Sequence, residues 1–144
     1  MTHVAPPLDQ PHHGAPIGAA VRRGFAKYAT FRGRASRSEY WWWVLFAAVV
    51  GSVLNALPTL TDGVRLEADG SLTVTGPLGI ILTFVWAIWA VATVIPTLAV
   101  LVRRLHDTGR SGLWVLIGVV PLVGILVLVV FTVRGPRSEG ARFD

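Results

Sequence analysis

Charge falls in clumps along this chain, and between the clumps lie three runs with no Asp, Glu, Lys, Arg or His: Tyr40–Thr61, Gly70–Val102 and Ser111–Val133. Each is at least as long as the ~20 residues a helix needs to cross the ~30 Å hydrocarbon of a bilayer. The pattern predicts an all-α membrane protein with three transmembrane helices, at about 40–58, 77–102 and 112–133. A short amphipathic interfacial helix precedes them. Over Ile17–Ala29, apolar Ile17, Val21, Phe25 and Tyr28 recur at helical spacing, while Arg22, Arg23 and Lys27 fall mainly on other faces. Residues 1–16 carry Pro6, Pro7, Pro11 and Pro16 and read as a disordered Pro/His-rich tail, leaving 17–144 as a single membrane domain. The adjacent His12 and His13 are read as carrying no metal.

Local signals set the element ends. Ser36 and Glu39 form a capping box just before Tyr40, Trp41, Trp42 and Trp43. Four successive aromatics point in different directions around a helix, so they predict a collar of membrane-interface anchors, with Trp114 a further one. Pro58 ends the first span, and its Ala47/Gly51 and Ala48/Ser52/Ala56 tracks permit close helix approach, within one chain or in a homo-oligomer. Pro77 suits a first helical turn, and Pro96 weakens the second span without ending it. Asp69-Gly70 suits a type I′ turn in a short hairpin over Leu66–Val74. Gly109 fits a helix C-cap and Ser111 the N-cap of the next helix.

Composition narrows the function classes. Three crossings in 144 residues leave no room for a second, soluble domain, and the first apolar run is too long for a cleaved signal core. With no cysteine, disulfides, thiolate metal sites and thiol nucleophiles are excluded. A net charge of +5 would suit nucleic acid in a soluble domain, but here the basic residues flank apolar spans. The expected partner is therefore the lipid bilayer, anionic phospholipid in particular, and not nucleic acid. No cofactor is implied. With the N-terminus cytoplasmic, Arg22, Arg23, Lys27, Arg32, Arg34, Arg37, Arg103, Arg104 and Arg110 lie inside and Arg65 outside. Three crossings leave Arg134, Arg137 and Arg142 outside, against the same rule. A re-entrant hairpin bending at Pro121–Gly124 returns them, but such a bend needs its backbone covered. The length of the run favours one crossing, with the hairpin as the alternative.

Two segments hold most of the chemistry: Phe31-Arg-Gly-Arg-Ala-Ser-Arg-Ser-Glu-Tyr-Trp-Trp-Trp43 and Arg103-Arg-Leu-His-Asp-Thr-Gly-Arg-Ser-Gly-Leu-Trp114. Together, and in this order, they resemble the two signature segments of the DUF805 family of small bacterial inner-membrane proteins. The resemblance extends over about Phe25 to Phe143, and Ala141-Arg-Phe-Asp144 keeps the Arg-Phe of the family's usual Asn-Arg-Phe-Gly ending but not its Asn. It implies a multi-pass protein of the bacterial inner membrane and no particular reaction.

The residues themselves place Arg32, Arg34, Arg37, Arg103, Arg104 and Arg110 with Glu39 and Asp107 in one cytoplasmic-side layer. There the carboxylates orient some arginines, and Asp107 fixes the tautomer of His106. Such a cluster either anchors and packs the helices or binds an anionic headgroup or an acidic partner segment. An enzyme is not expected, because His106, Asp107 and Ser111 share one short turn, where serine-triad geometry is improbable. A transport-associated role lacks ionisable residues inside the spans.

Overall fold

Pro16 opens the first helix in the computed structural model, which describes residues 6–8, 10–61 and 63–143. Helix α1 (Ile17–Ala26) ends about a turn before the expected Ala29. Helix α2 (Arg37–Leu60) starts directly after Ser36 and carries Pro58 inside its last turn instead of stopping there. The hairpin follows, with β1 (Val64–Leu66) antiparallel to β2 (Leu72–Val74) and Leu66 opposite Leu72. Its loop is longer than a two-residue type I′ turn. Gly70 N donates to Glu67 O at 2.9 Å and Glu67 N to Ser71 O at 2.8 Å, a turn closed by a bulge. Helix α3 (Gly76–Asp107) holds Pro77 in its first turn and passes through Pro96.

Helix α3 ends as its sequence dictates. Gly109 adopts φ +76°, a left-handed conformation that costs glycine little. Gly109 N donates to His106 O at 2.9 Å and Arg110 N to Leu105 O at 3.0 Å, the paired bonds of a Schellman cap. Ser111 then caps a 3-10 helix, Gly112–Val119, its hydroxyl oxygen accepting from Leu113 N at 3.3 Å.

The third apolar run is not one continuous helix, as the sequence predicts, but two short ones, so a third span is not shown. After the 3-10 helix the chain turns sharply at Pro121-Leu122-Val123, and α4 (Val123–Val133) runs back against the first leg. Leu122 sits at φ +62°, ψ −62°, and Val123 N donates to Pro121 O at 2.7 Å, which makes the bend a γ-turn. Gly124 is where the legs touch: a Cβ there would lie 1.8 Å from Ile117 O. The bend bonds part of its own backbone. Val120 N reaches Ile117 O, Gly124 N reaches Val120 O and Leu126 N reaches Leu122 O, all at 3.0 Å, and Pro121 has no N–H to satisfy. At 11 residues, α4 is ~16 Å long, about half a bilayer core.

The chain divides into two packing units, one from Leu45–Val94 and the other from the chain before and after it. In the first, the Trp89 ring stands edge-on to Phe46 with centroids 5.8 Å apart, and its N–H reaches Ala47 O at 3.4 Å. The same indole lies over Gly51, so the Ala47/Gly51 track receives a side chain of its own chain. In the second, Trp43 is wholly buried, with its ring lying over Gly24 of α1. Its N–H donates to Thr97 Oγ1 at 3.1 Å, and Phe25 of α1 meets it edge-on at 5.1 Å.

Helices α2 and α3 are each long and apolar enough to cross a membrane. Their large side chains are open: Phe84, Ile88 and Val91 are 66%, 67% and 73% exposed. Leaving a side chain of this kind in water forgoes ~1.5–3 kcal/mol, so these faces match lipid.

Candidate functional site

Both signature segments fall in the second unit, and the C-terminal stretch joins them there. Ser36 and Glu39 form the expected capping box: Glu39 N donates to Ser36 Oγ at 3.2 Å, and Glu39 Oε2 accepts from Ser36 N at 2.9 Å. The same oxygen accepts His12 N at 3.0 Å. Glu39 Oε1 takes Arg23 Nε at 2.5 Å, in an ion pair with both side chains at most 5% exposed. Glu39 thus holds Arg23 of α1, an arginine the sequence assigns to the basic side of an interfacial helix.

Arg23 also organises the N-terminal segment. It donates to Pro6 O at 2.9 Å, Pro7 O at 3.2 Å, Leu8 O at 3.4 Å, and also to Gln10 O. Ser36 Oγ donates to His12 O at 2.6 Å, and Ala15 N donates to Ser38 Oγ at 2.9 Å. Where the proline-rich composition predicts disorder, the described residues of 6–16 lie along these donors. Proline cannot donate, but its carbonyl still accepts. Residues 1–5 of the predicted tail lie outside the described residues.

Arg104 is the centre of the second segment. It is completely buried, pairs with Asp107 one turn on, and donates to Thr132 O at 3.0 Å, to Ala35 O at 3.5 Å and to Arg134 O. One guanidinium therefore joins α3, the first signature segment and the end of α4. Arg103 is buried too. Its Nε returns to Ala99 O at 3.2 Å, and its backbone oxygen accepts Ala35 N at 3.1 Å. Two buried polar atoms here, Arg103 Nη2 and Asp107 Oδ1, have no partner among the described residues.

His106 is not held by Asp107, as the sequence predicts, but by Gly33 and Phe143. Its Nδ1 lies 3.2 Å from Gly33 O, and a carbonyl only accepts, so Nδ1 carries the proton. The Phe143 ring stacks on the imidazole at 4.1 Å between centroids and 6° between planes. Around this stack the tail is stitched down: Gly33 N donates to Phe143 O at 3.0 Å, Arg137 N to Asp107 O at 2.9 Å and Arg142 Nη2 to Gly109 O at 3.0 Å.

The remaining predicted residues divide by exposure. Arg32 and Arg37 are exposed, and Arg34 is half-buried. Arg110 lies over the Phe131 ring with Cζ 3.8 Å from the centroid. Partial burial, then repulsion from Arg134 and Arg137, holds its pKa below the usual arginine value. Of the anchors, Trp41, Trp42 and Trp114 are exposed and Tyr40 is half-buried, whereas Trp43 is core and not collar. Sequence reasoning passed over Arg23, Thr132, Arg134 and Phe143. The Arg-Phe pair retained at Arg142-Phe143 is the one signal that pointed to the tail.

Long apolar helices with lipid-compatible faces, joined to a buried arginine–carboxylate cluster, define a small helical membrane protein. Over residues 28–144 the chain matches the family described as "Protein of unknown function (DUF805)", and it belongs to that family. It is similar to the inner membrane protein YhaI of Escherichia coli K12, 39% identical over 116 residues that span 81% of this chain and 84% of that protein. Inner membrane protein YhaH of the same strain is 34% identical over 116 residues, 81% of this chain and 85% of that protein. No solved structure matches.

Proposed function

We propose that this is a multi-pass inner-membrane protein without catalytic chemistry of its own, whose arginine–carboxylate cluster is a clamp. The clamp fastens the apolar hairpin, the tail and the N-terminal segment to the end of α3. The observation that carries this reading is Arg104, fully buried and bonded to Asp107 and to three backbone oxygens from two separate stretches of chain, Ala35 and 132–134. The relatives' names, inner membrane proteins, support the location.

The clamp bears on topology as well. Because the tail bonds to both signature segments, it shares their side of the membrane. With α2 and α3 crossing and the apolar hairpin re-entrant, all the basic residues except Arg65 of β1 face the cytoplasm.

Removing one partner of a buried ion pair costs ~3–5 kcal/mol, because the other charge is left uncompensated. Arg104→Ala is therefore expected to destabilise the detergent-solubilised protein by about that amount in thermal unfolding. Arg104→Lys, which keeps the charge but not the planar fork, is expected to recover only part. Arg32→Ala is expected to change little. An Arg104→Ala protein as stable as the parent refutes the clamp.

A second reading has its own observation: Arg32 and Arg37 remain exposed while Arg103 and Arg104 are buried. The exposed pair supports contact with anionic headgroups, a task that the buried pair cannot serve.

A further inference from the structure

Asn55 is a side-chain amide on α2, a helix long and apolar enough to cross a membrane, and it is exposed. Among the described residues nothing hydrogen-bonds to it. It lies about 14 residues of helix beyond Trp41, ~21 Å at ~1.5 Å each, and ~9 Å short of the end of the apolar run at Thr61. With Trp41 at the headgroups, that depth is inside the ~30 Å hydrocarbon layer. Lipid tails offer neither a donor nor an acceptor, and an amide needs both. Ser52, one turn earlier on the same face, is exposed too, and its hydroxyl likewise has no partner among the described residues.

The two long helices differ in what they turn outward. Helix α3 exposes Phe84, Ile88 and Val91, large apolar chains that suit lipid. Beside Asn55 and Ser52, α2 exposes Ala48 and Ala56, short enough for a neighbouring backbone to come within reach of the amide. The other close-approach track, Ala47/Gly51, is filled by Trp89 of the same chain.

We propose that this face of α2 packs against α2 of a second copy of the chain, with Asn55 of one copy hydrogen-bonded to Asn55 of the other. The amide chooses the occupant. Copies in one membrane share an orientation, so a two-fold axis along the membrane normal sets Asn55 against Asn55 at one depth. Each amide then donates through its N–H and accepts through its oxygen, a reciprocal pair that a lone donor or acceptor on an unrelated helix does not complete. The face lies in the unit Leu45–Val94, which does not hold the clamp, so neither reading depends on the other.

The chain has no cysteine, so single thiols in the full-length protein report the contact in native membranes. Oxidation of Ser52→Cys is expected to give a disulfide-linked dimer, and oxidation of Val91→Cys on α3 only a trace of one. In proteoliposomes, energy transfer between fluorescently tagged copies is expected to show Asn55→Leu raising the dimer dissociation constant about tenfold, with helix content by circular dichroism unchanged. Asn55→Gln, which keeps the amide, is expected to stay within about threefold of the parent. A folded Asn55→Leu protein that dimerises as the parent does overturns the proposal. So does crosslinking from Val91→Cys equal to that from Ser52→Cys, or a Ser52→Cys adduct with a different protein in place of the dimer. A parent that is monomeric at every lipid dilution overturns it as well. The crosslinking arm leaves Asn55 in place, so it decides the matter even where Asn55→Leu fails to fold.

Discussion

Leu122 is a leucine in a conformation that glycine adopts far more readily. Its φ of +62° places a branched side chain in a γ-turn, and its side chain is 77% exposed, so little packing compensates. Strain of this kind costs ~1–3 kcal/mol. Leu122→Gly is expected to raise the thermal stability of the solubilised protein by about 1 kcal/mol, read as an upward shift in Tm. A drop instead would mean that Leu122 packs against lipid or another protein strongly enough to outweigh its backbone. Side-chain identity alone also misplaces Trp43. Trp41, Trp42 and Trp43 look equivalent in sequence, but each step along a helix turns the side chain by ~100°. Of the three, Trp43 lies over Gly24, where the missing Cβ leaves room for an indole, and donates to the Thr97 hydroxyl.

The apolar hairpin shows where pattern reading succeeds and where it stops. Run lengths, the Ser36 cap, Pro77, Gly109 and Ser111 locate α2, α3 and the polar turn to within about a turn, because each signal acts on its immediate neighbours. The third run was a matter of depth. Two legs of 8 and 11 residues are each ~16 Å, too short to cross twice yet sufficient to enter halfway and return. The objection that a bend in lipid needs protein cover is met only in part, by a γ-turn, a proline without a donor and the N–H groups of Val120, Gly124 and Leu126 bonded within the hairpin. With no native cysteine, single-cysteine labelling can test this cleanly. Leu113→Cys and Gly135→Cys are expected to react with a membrane-impermeant maleimide from the same side, and Leu122→Cys from neither. Labelling of the first two from opposite faces would restore a third crossing.

The candidate site was half legible. Both arginine segments announce themselves by composition, and they do meet; what the sequence hides is which charges remain available. Arg104 looks like a binding residue until Thr132, Arg134 and Ala35 supply backbone oxygens, and Arg103 until it turns back to Ala99 O, partners that leave no trace in side-chain patterns. The tail is similarly silent apart from Arg142-Phe143. Deleting residues 138–143 removes the ring stacked on His106 and the acceptor for Gly33 N. Those contacts are worth ~1–3 kcal/mol together, and the truncated chain is expected to unfold correspondingly earlier and to be cleaved faster by protease near Gly33. Unchanged cleavage would show that the tail is merely laid down on the fold. The dependence of Arg104 on oxygens supplied almost thirty residues later also has a consequence for biosynthesis. A nascent chain that has emerged only as far as the middle of the hairpin holds a guanidinium with Asp107 but without its later acceptors. A chain that stops short of Thr132 therefore leaves the Arg104 guanidinium without two of its acceptors.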